Sequence, residues 1–206
     1  MEPKPPQVFR LPHELSRVPT DIGGIYSFCL RFPSDYELGL ASHNVDVPRV
    51  RRRIEAFVER VTPVLKSPLA LSGSLASGQD ARHLRTVLTL QAERCDIAGP
   101  VTELRSYLVN SGDSVEALRN AAALLRLLFS SATPSYIGMT ARQSLSARLL
   151  QHYQRRTKFG QALVAMGVPW TFFDFRCVPI DRLTPDVARS LERVAQTLFH
   201  PHLSSR

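Results

Sequence analysis

Gly24-Ile25-Tyr26-Ser27-Phe28-Cys29-Leu30 follows Gly23 and gives way to Phe32-Pro33. β-Branched and aromatic residues bounded by glycine and proline read as a strand. A second such stretch, Tyr136-Ile137-Gly138-Met139, comes after Pro134-Ser135. A third, Trp170-Thr171-Phe172-Phe173-Asp174-Phe175-Arg176-Cys177-Val178, is the clearest strand pattern in the chain. Residues 143–155 between the last two carry a helical pattern, with Thr140 as candidate cap. Gly160 and Gly167-Val168-Pro169 then break the chain. Thr184-Pro185-Asp186 supplies a cap, a proline and an acidic first turn for a final helix, with Val187, Leu191, Val194, Ala195 and Leu198 on its inner side. The order strand, strand, helix, strand, helix predicts an α/β fold, a small antiparallel three-stranded sheet flanked by helices.

The rest of the chain lies outside that core. Pro3, Pro5 and Pro6 mark a loose start, and residues 1–20 read as an N-terminal tail. Residues 34–133 read as a largely helical insertion between core segments 21–33 and 134–206. Within it, Val50 to Leu65 places Val50, Ile54, Phe57, Val58 and Val61 on one helix face, opposite Arg51, Arg52, Arg53, Glu55 and Glu59. Leu71 to Asp80, rich in Gly, Ser and Ala, reads as a loop. Residues 81–97 fit either a strand around Thr86–Leu90 or a helix. Pro100 and Thr102 open a short helix to Leu108, and Ser114 starts a stronger one to Phe129. No repeat is visible.

The 206 residues are 44% hydrophobic and 21% charged, enough for a core and too apolar for disorder over most of the length. The net charge is +8, and of 26 basic residues only Lys4, Lys66 and Lys158 are lysines. Arginine's planar fork grips phosphate, so nucleic acid is the natural partner, although a GC-rich genome would also exchange Lys for Arg. From Arg142 to Arg206 ten basic residues face four acidic ones, so the excess concentrates in the C-terminal third. Cys29, Cys95 and Cys177 form no CxxC pair and read as reduced core thiols. No apolar run approaches the roughly 20 residues that span a bilayer. The start lacks a secretory layout. A cytoplasmic protein is the expectation.

Hydrolysis of a phosphodiester needs a nucleophilic water, charge stabilisation at phosphorus and help for the leaving oxygen; a divalent metal on hard oxygen ligands supplies the last two. Tyr26 and Tyr136 sit on neighbouring predicted strands. Arg148 and His152 are four apart on one helix face, beside a buried stripe of Leu145, Leu149 and Tyr153. Glu192 offers a carboxylate from the final helix. Singly, each has an ordinary reading: strand tyrosines pack, and helix arginines, histidines and glutamates are solvated. The ordered combination is what points to chemistry.

This order resembles the GIY-YIG nuclease family, whose name-giving tripeptides Gly24-Ile25-Tyr26 and Tyr136-Ile137-Gly138 are both matched without substitution. Arg148 matches the family's helix arginine, about two residues further from the second tripeptide than is common. His152 matches a histidine of many members. Glu192 falls where the family places its metal-binding glutamate. Phe199-His200-Pro201-His202-Leu203-Ser204 resembles an ending that normally finishes in asparagine; Ser204 stands there and would support the site only in part. The tyrosines lie 110 positions apart (136 − 26), further than is usual, which an insertion at a hairpin tip accommodates. The resemblance covers about half the chain. It implies a metal-dependent endonuclease using Mg²⁺ or Mn²⁺ on double-stranded or branched DNA, in restriction, phage defence or repair.

In that reading Tyr26 or Tyr136 acts as, or positions, the general base. A phenol does so only with a pKa well below its usual value near 10. Arg148 stabilises the pentavalent phosphate, His152 assists proton transfer or holds a tyrosine, and Glu192 binds the metal. Gly24 and Gly138 let the backbone pass close beneath the site. Arg142, Arg155, Arg156 and Lys158 are the candidate nucleic-acid contacts. Two alternatives stand beside it: a degenerate module that binds nucleic acid without cutting, and an interaction subunit docking a protein partner through the helical insertion. No base-reading motif separates DNA from RNA.

Overall fold

A computed structural model describes residues 5–65, 69–80, 83–94, 98–110, 112, 114–130, 134–181, 184–199 and 203. Ser204 lies outside the described residues, as do Cys95 and His200–His202. The fold is α/β, with an antiparallel sheet of four strands where the sequence predicts three. The strands β1 (Gln7–Arg10), β2 (Gly24–Leu30), β5 (Tyr136–Thr140) and β6 (Phe173–Pro179) lie in the order β1-β6-β2-β5. The extra strand comes from the expected tail: Val8 pairs with Arg176 and Phe9 with Phe175. Phe9 is buried, which explains why residues so close to the proline-rich start hold to the edge.

The central strand β2 sets the register. Tyr26 pairs with Gly138 on one side and with Cys177 on the other; Phe28 pairs with Tyr136 and Phe175. Alternation then puts Tyr26, Phe28, Tyr136 and Phe175 on one face. There they meet α5 (Leu145–Tyr153) and α6 (Lys158–Ala165) through rings such as Phe28–Phe159 at 4.7 Å and Tyr136–Phe159 at 4.7 Å. Ser144, not Thr140, caps α5, its side chain accepting from the Ala147 N–H. Thr140 instead donates to the Gln143 carbonyl. The helix α6 runs through Gly160, where a Cβ would lie 2.2 Å from the His152 carbonyl oxygen. Glycine is what lets α5 and α6 touch.

Residues 34–133, expected as an insertion, contain α1 (Asp35–Leu38), α2 (Val47–Leu65), the strand pair β3 (Leu69–Asp80) and β4 (His83–Arg94), α3 (Ala98–Asn110) and α4 (Val115–Ser130). The expected loop at 71–80 is thus a strand, and of the ambiguous 81–97 the described residues His83–Arg94 are its strand partner. Antiparallel pairing with β4 overrides the poor strand propensity of Gly and Ser. The predicted inner face of α2 is buried, Val50, Ile54, Phe57, Val58 and Val61 included. It packs with α4 through Phe57–Phe129 at 5.2 Å and reaches the sheet end through Phe57–Phe172 at 4.6 Å. One hydrophobic core therefore runs from the sheet into α2 and α4. Among the described residues no helix is long and apolar enough to cross a membrane.

The last helix, α7 (Pro185–Phe199), packs beside β5 and β2, rotated from the expected orientation. Val187, Leu191 and Val194 are exposed. Ala188 is buried, and Glu192, Ala195 and Gln196 are partly so. The small Ala188 allows close approach to the sheet, and that rotation turns Glu192 inward.

Candidate active site

Tyr26, Tyr136, Arg148, His152 and Glu192 come from β2, β5, α5 and α7, and the fold draws them together. The Tyr26 hydroxyl is the hub. Arg148 Nε donates to it at 3.0 Å, and His152 Nε2 lies 2.8 Å away on its other side. Tyr26 and His152 are buried, while Arg148 and Tyr136 are partly exposed. The two tyrosine rings stack at 6.2 Å and 27°. Gly138 is the reason they can: a Cβ there would stand 2.5 Å from the Tyr26 hydroxyl oxygen and 2.9 Å from Tyr136 Cε1. Gly24 serves the sheet instead, since its Cβ would meet the Val178 carbonyl at 2.3 Å.

Burial governs the electrostatics. It holds the His152 imidazole down at about 3, with the Arg148 charge pushing the same way, so the ring is neutral at physiological pH. Burial, and then Tyr136, push the Tyr26 phenol above its ordinary value against the pull of Arg148. That is opposite in direction to what a base at neutral pH requires. Tyr26 is therefore a protonated, structure-holding phenol, and of the two tyrosines the half-buried Tyr136 is the one with access to a water. Burial also raises Glu192, with Arg148 opposing it, which places the carboxylate in the field of the guanidinium.

Three residues that the sequence reading passed over complete the arrangement. Gln151 Oε1 accepts from Arg148 Nη1 at 2.9 Å, and Gln151 and Gln143 exchange two amide hydrogen bonds at 2.8 and 3.1 Å. Thr157 Oγ1 lies 2.8 Å from His152 Nδ1 and accepts from the Gly160 N–H at 3.1 Å. Spacing offers a signal for Gln151, three after Arg148, and for Thr157 as a cap ahead of a helix. The expected stripe of α5 holds at Leu145 and Leu149, whereas Tyr153 is partly exposed and tilts against Trp170 at 5.7 Å.

The candidate nucleic-acid residues Arg142, Arg155, Arg156 and Lys158 are all exposed. Arg142 precedes α5; the other three cluster at the turn into α6. Arg155 adopts φ 62°, with its N–H bonded to the His152 carbonyl and the Arg156 N–H to that of Gln151. This is a Schellman end carrying arginine where glycine is usual.

No group of three or more His, Cys, Asp or Glu positioned for a metal occurs among the described residues. Among the described residues Glu192 receives one hydrogen bond, from the Gln196 amide at 3.3 Å. A half-buried carboxylate so lightly engaged fits Mg²⁺, which commonly takes one or two carboxylates and fills its shell with water and substrate phosphate oxygens. Comparison of the chain with protein-family models, with characterised proteins and with solved structures finds no match.

Proposed function

We propose that the chain is a metal-dependent endonuclease of the GIY-YIG type, acting on double-stranded or branched DNA. One observation carries the reading: a buried tyrosine hydroxyl clamped between Arg148 and His152, with a second tyrosine stacked beside it across a glycine. Arg148 is held by Tyr26 and Gln151 and also meets Tyr136, which fixes the guanidinium plane toward a scissile phosphate. Glu192 would hold Mg²⁺ or Mn²⁺. When bound there, such a cation supplies charge neutralisation at the phosphate and a more acidic coordinated water. Tyr136 orients the attacking water from the rim, and Tyr26 and His152 keep Arg148 in place. The exposed bases at the turn into α6 hold the flanking backbone.

The test is plasmid cleavage by the purified protein with Mg²⁺, with Mn²⁺ and with EDTA, beside Arg148→Ala and Glu192→Ala. Metal-dependent nicking should fall at least about 100-fold in each variant while the circular dichroism spectrum is kept. Full cleavage by either variant would sink the assigned site. A second reading, a module that binds DNA without cutting, is favoured by Glu192 standing outside any group of three metal-ligating side chains among the described residues. Salt-sensitive binding with no product in any metal would select it.

A further inference from the structure

The polar chain at the centre of the site extends past His152 and ends on Thr157. His152 is fully buried, so its tautomer is set by two bonds, Nε2 to the Tyr26 hydroxyl at 2.8 Å and Nδ1 to Thr157 Oγ1 at 2.8 Å. The Tyr26 oxygen already accepts from Arg148 Nε, which leaves its own proton to be given away. Two groups compete for it, His152 Nε2 at 2.8 Å and Tyr136; given to Nε2, the proton makes Nε2 the bare nitrogen and puts the ring hydrogen on Nδ1. Thr157 Oγ1 then accepts twice, from His152 Nδ1 and from the Gly160 N–H that begins α6. The reverse arrangement would have Thr157 donate to Nδ1, place a second N–H on the Tyr26 oxygen and turn the Tyr26 proton toward Tyr136.

We infer that Thr157 is a positioning residue of this site: it holds His152 in the Nδ1–H tautomer, and through it keeps the Tyr26 proton pointed at His152 and the Tyr26 oxygen open to Arg148. The hydroxyl that caps α6 is the same one that sets the ring, so the start of that helix and the orientation of Arg148 are coupled through one oxygen atom. A wrong tautomer at a catalytic histidine can lower turnover by orders of magnitude with geometry intact, as the serine-protease aspartate-to-asparagine variant demonstrates. For the activity readout alone, the inference rests on the nuclease reading.

The experiment pairs ¹⁵N-detected NMR of the imidazole ring with cleavage kinetics, in the full chain and in Thr157→Val and Thr157→Ser. Wild type and Thr157→Ser should show a pyrrole-like Nδ1 and a pyridine-like Nε2 at His152. Thr157→Val should lose that single tautomer and lower kcat about 10-fold or more with KM little changed; Thr157→Ser should restore both. An Nε2–H tautomer in wild type, or a Thr157→Val spectrum that matches wild type, overturns the inference. Were the wild type to cut nothing, the nuclease reading would fail while the ring spectrum still decided the role of Thr157.

Discussion

The side chain that Gly138 lacks sets the distance between the two tyrosines. A methyl group there would press on the Tyr26 hydroxyl and on the edge of Tyr136 at once, and the Tyr26 ring is hemmed by Phe175 at 5.5 Å on its other side. Gly138→Ala should therefore destabilise by about 1–3 kcal/mol as an overpacking change, visible as a fall in Tm of roughly 2–12 °C for a chain of this size. A wild-type Tm would mean the rings are not held as described. His152 makes a second prediction. Its folded value of about 3 lies below the ordinary 6.5, so between those values the unfolded chain binds the extra proton. Stability gained from the neutral ring is then complete above 6.5 and is lost as pH falls toward 3. Glu37, lowered to about 2 by Arg31 first of all, acts in the same direction, but only below its ordinary 4.5. Denaturant unfolding from pH 6.5 down to 4.5 should thus show a steeper decline in wild type than in His152→Gln, and parallel lines would refute a neutral buried ring. Arg148 and His152 were legible as candidates through their i, i+4 spacing, and Tyr26 through its glycine-flanked strand and the order of motifs that resembles a known family. Gln151 and Thr157 carried only the faint signals of an i+3 spacing and a cap position, and Gln143 carried none, since a polar side chain that serves a hydrogen bond leaves no hydrophobic period in a sequence.

Strong amphipathic periods survived translation into elements. The helices α2 and α4 and the strands β2, β5 and β6 lie where their patterns place them. The failures share a cause: a tertiary partner outweighing local preference. The four residues of β1 hold because β6 offers an edge, and α6 runs through Gly160 with the His152 carbonyl against it. For α7 the apolar stripe was read as the buried one, yet the buried line runs through Ala188 and Glu192. An apolar stripe tells which residues share a face; what that face meets is decided elsewhere. The end of α5 yields a prediction at this scale. Arg155 occupies a left-handed conformation that costs a non-glycine residue on the order of 1 kcal/mol. Arg155→Gly should raise stability by about that amount, or roughly 2–4 °C in Tm, while weakening DNA binding. Opposite signs in the two measurements would mark Arg155 as strained for function. Unchanged DNA affinity would make it an ordinary helix end.

Over the whole molecule the arginines fall into two populations. Several of those in residues 34–133 are engaged: Arg105 with Glu59, Arg126 with Asp35, Arg51 with the Gly112 carbonyl and Arg53 with that of Glu37. They tie α3 to α2, and α2 and α4 to α1, so these arginines serve packing. Arg142, Arg155, Arg156 and Lys158 are exposed and, among the described residues, form no ion pair. The surplus charge of the C-terminal third therefore reduces to a small patch beside α5 and α6, which composition located only to within some sixty residues. Binding to duplex DNA should consequently be salt-dependent, with the patch supplying a definite part of the slope. Each phosphate neutralised contributes about 0.9 to the slope of log K against log salt. Replacing Arg155, Arg156 and Lys158 together by alanine should lower the slope by about 2–3. Arg126→Ala, which removes a cation already paired with Asp35, should leave it nearly unchanged. Equal losses from both would mean that DNA senses only net charge. A loss confined to Arg126→Ala would move the interface onto residues 34–133 and away from Tyr26 and Arg148.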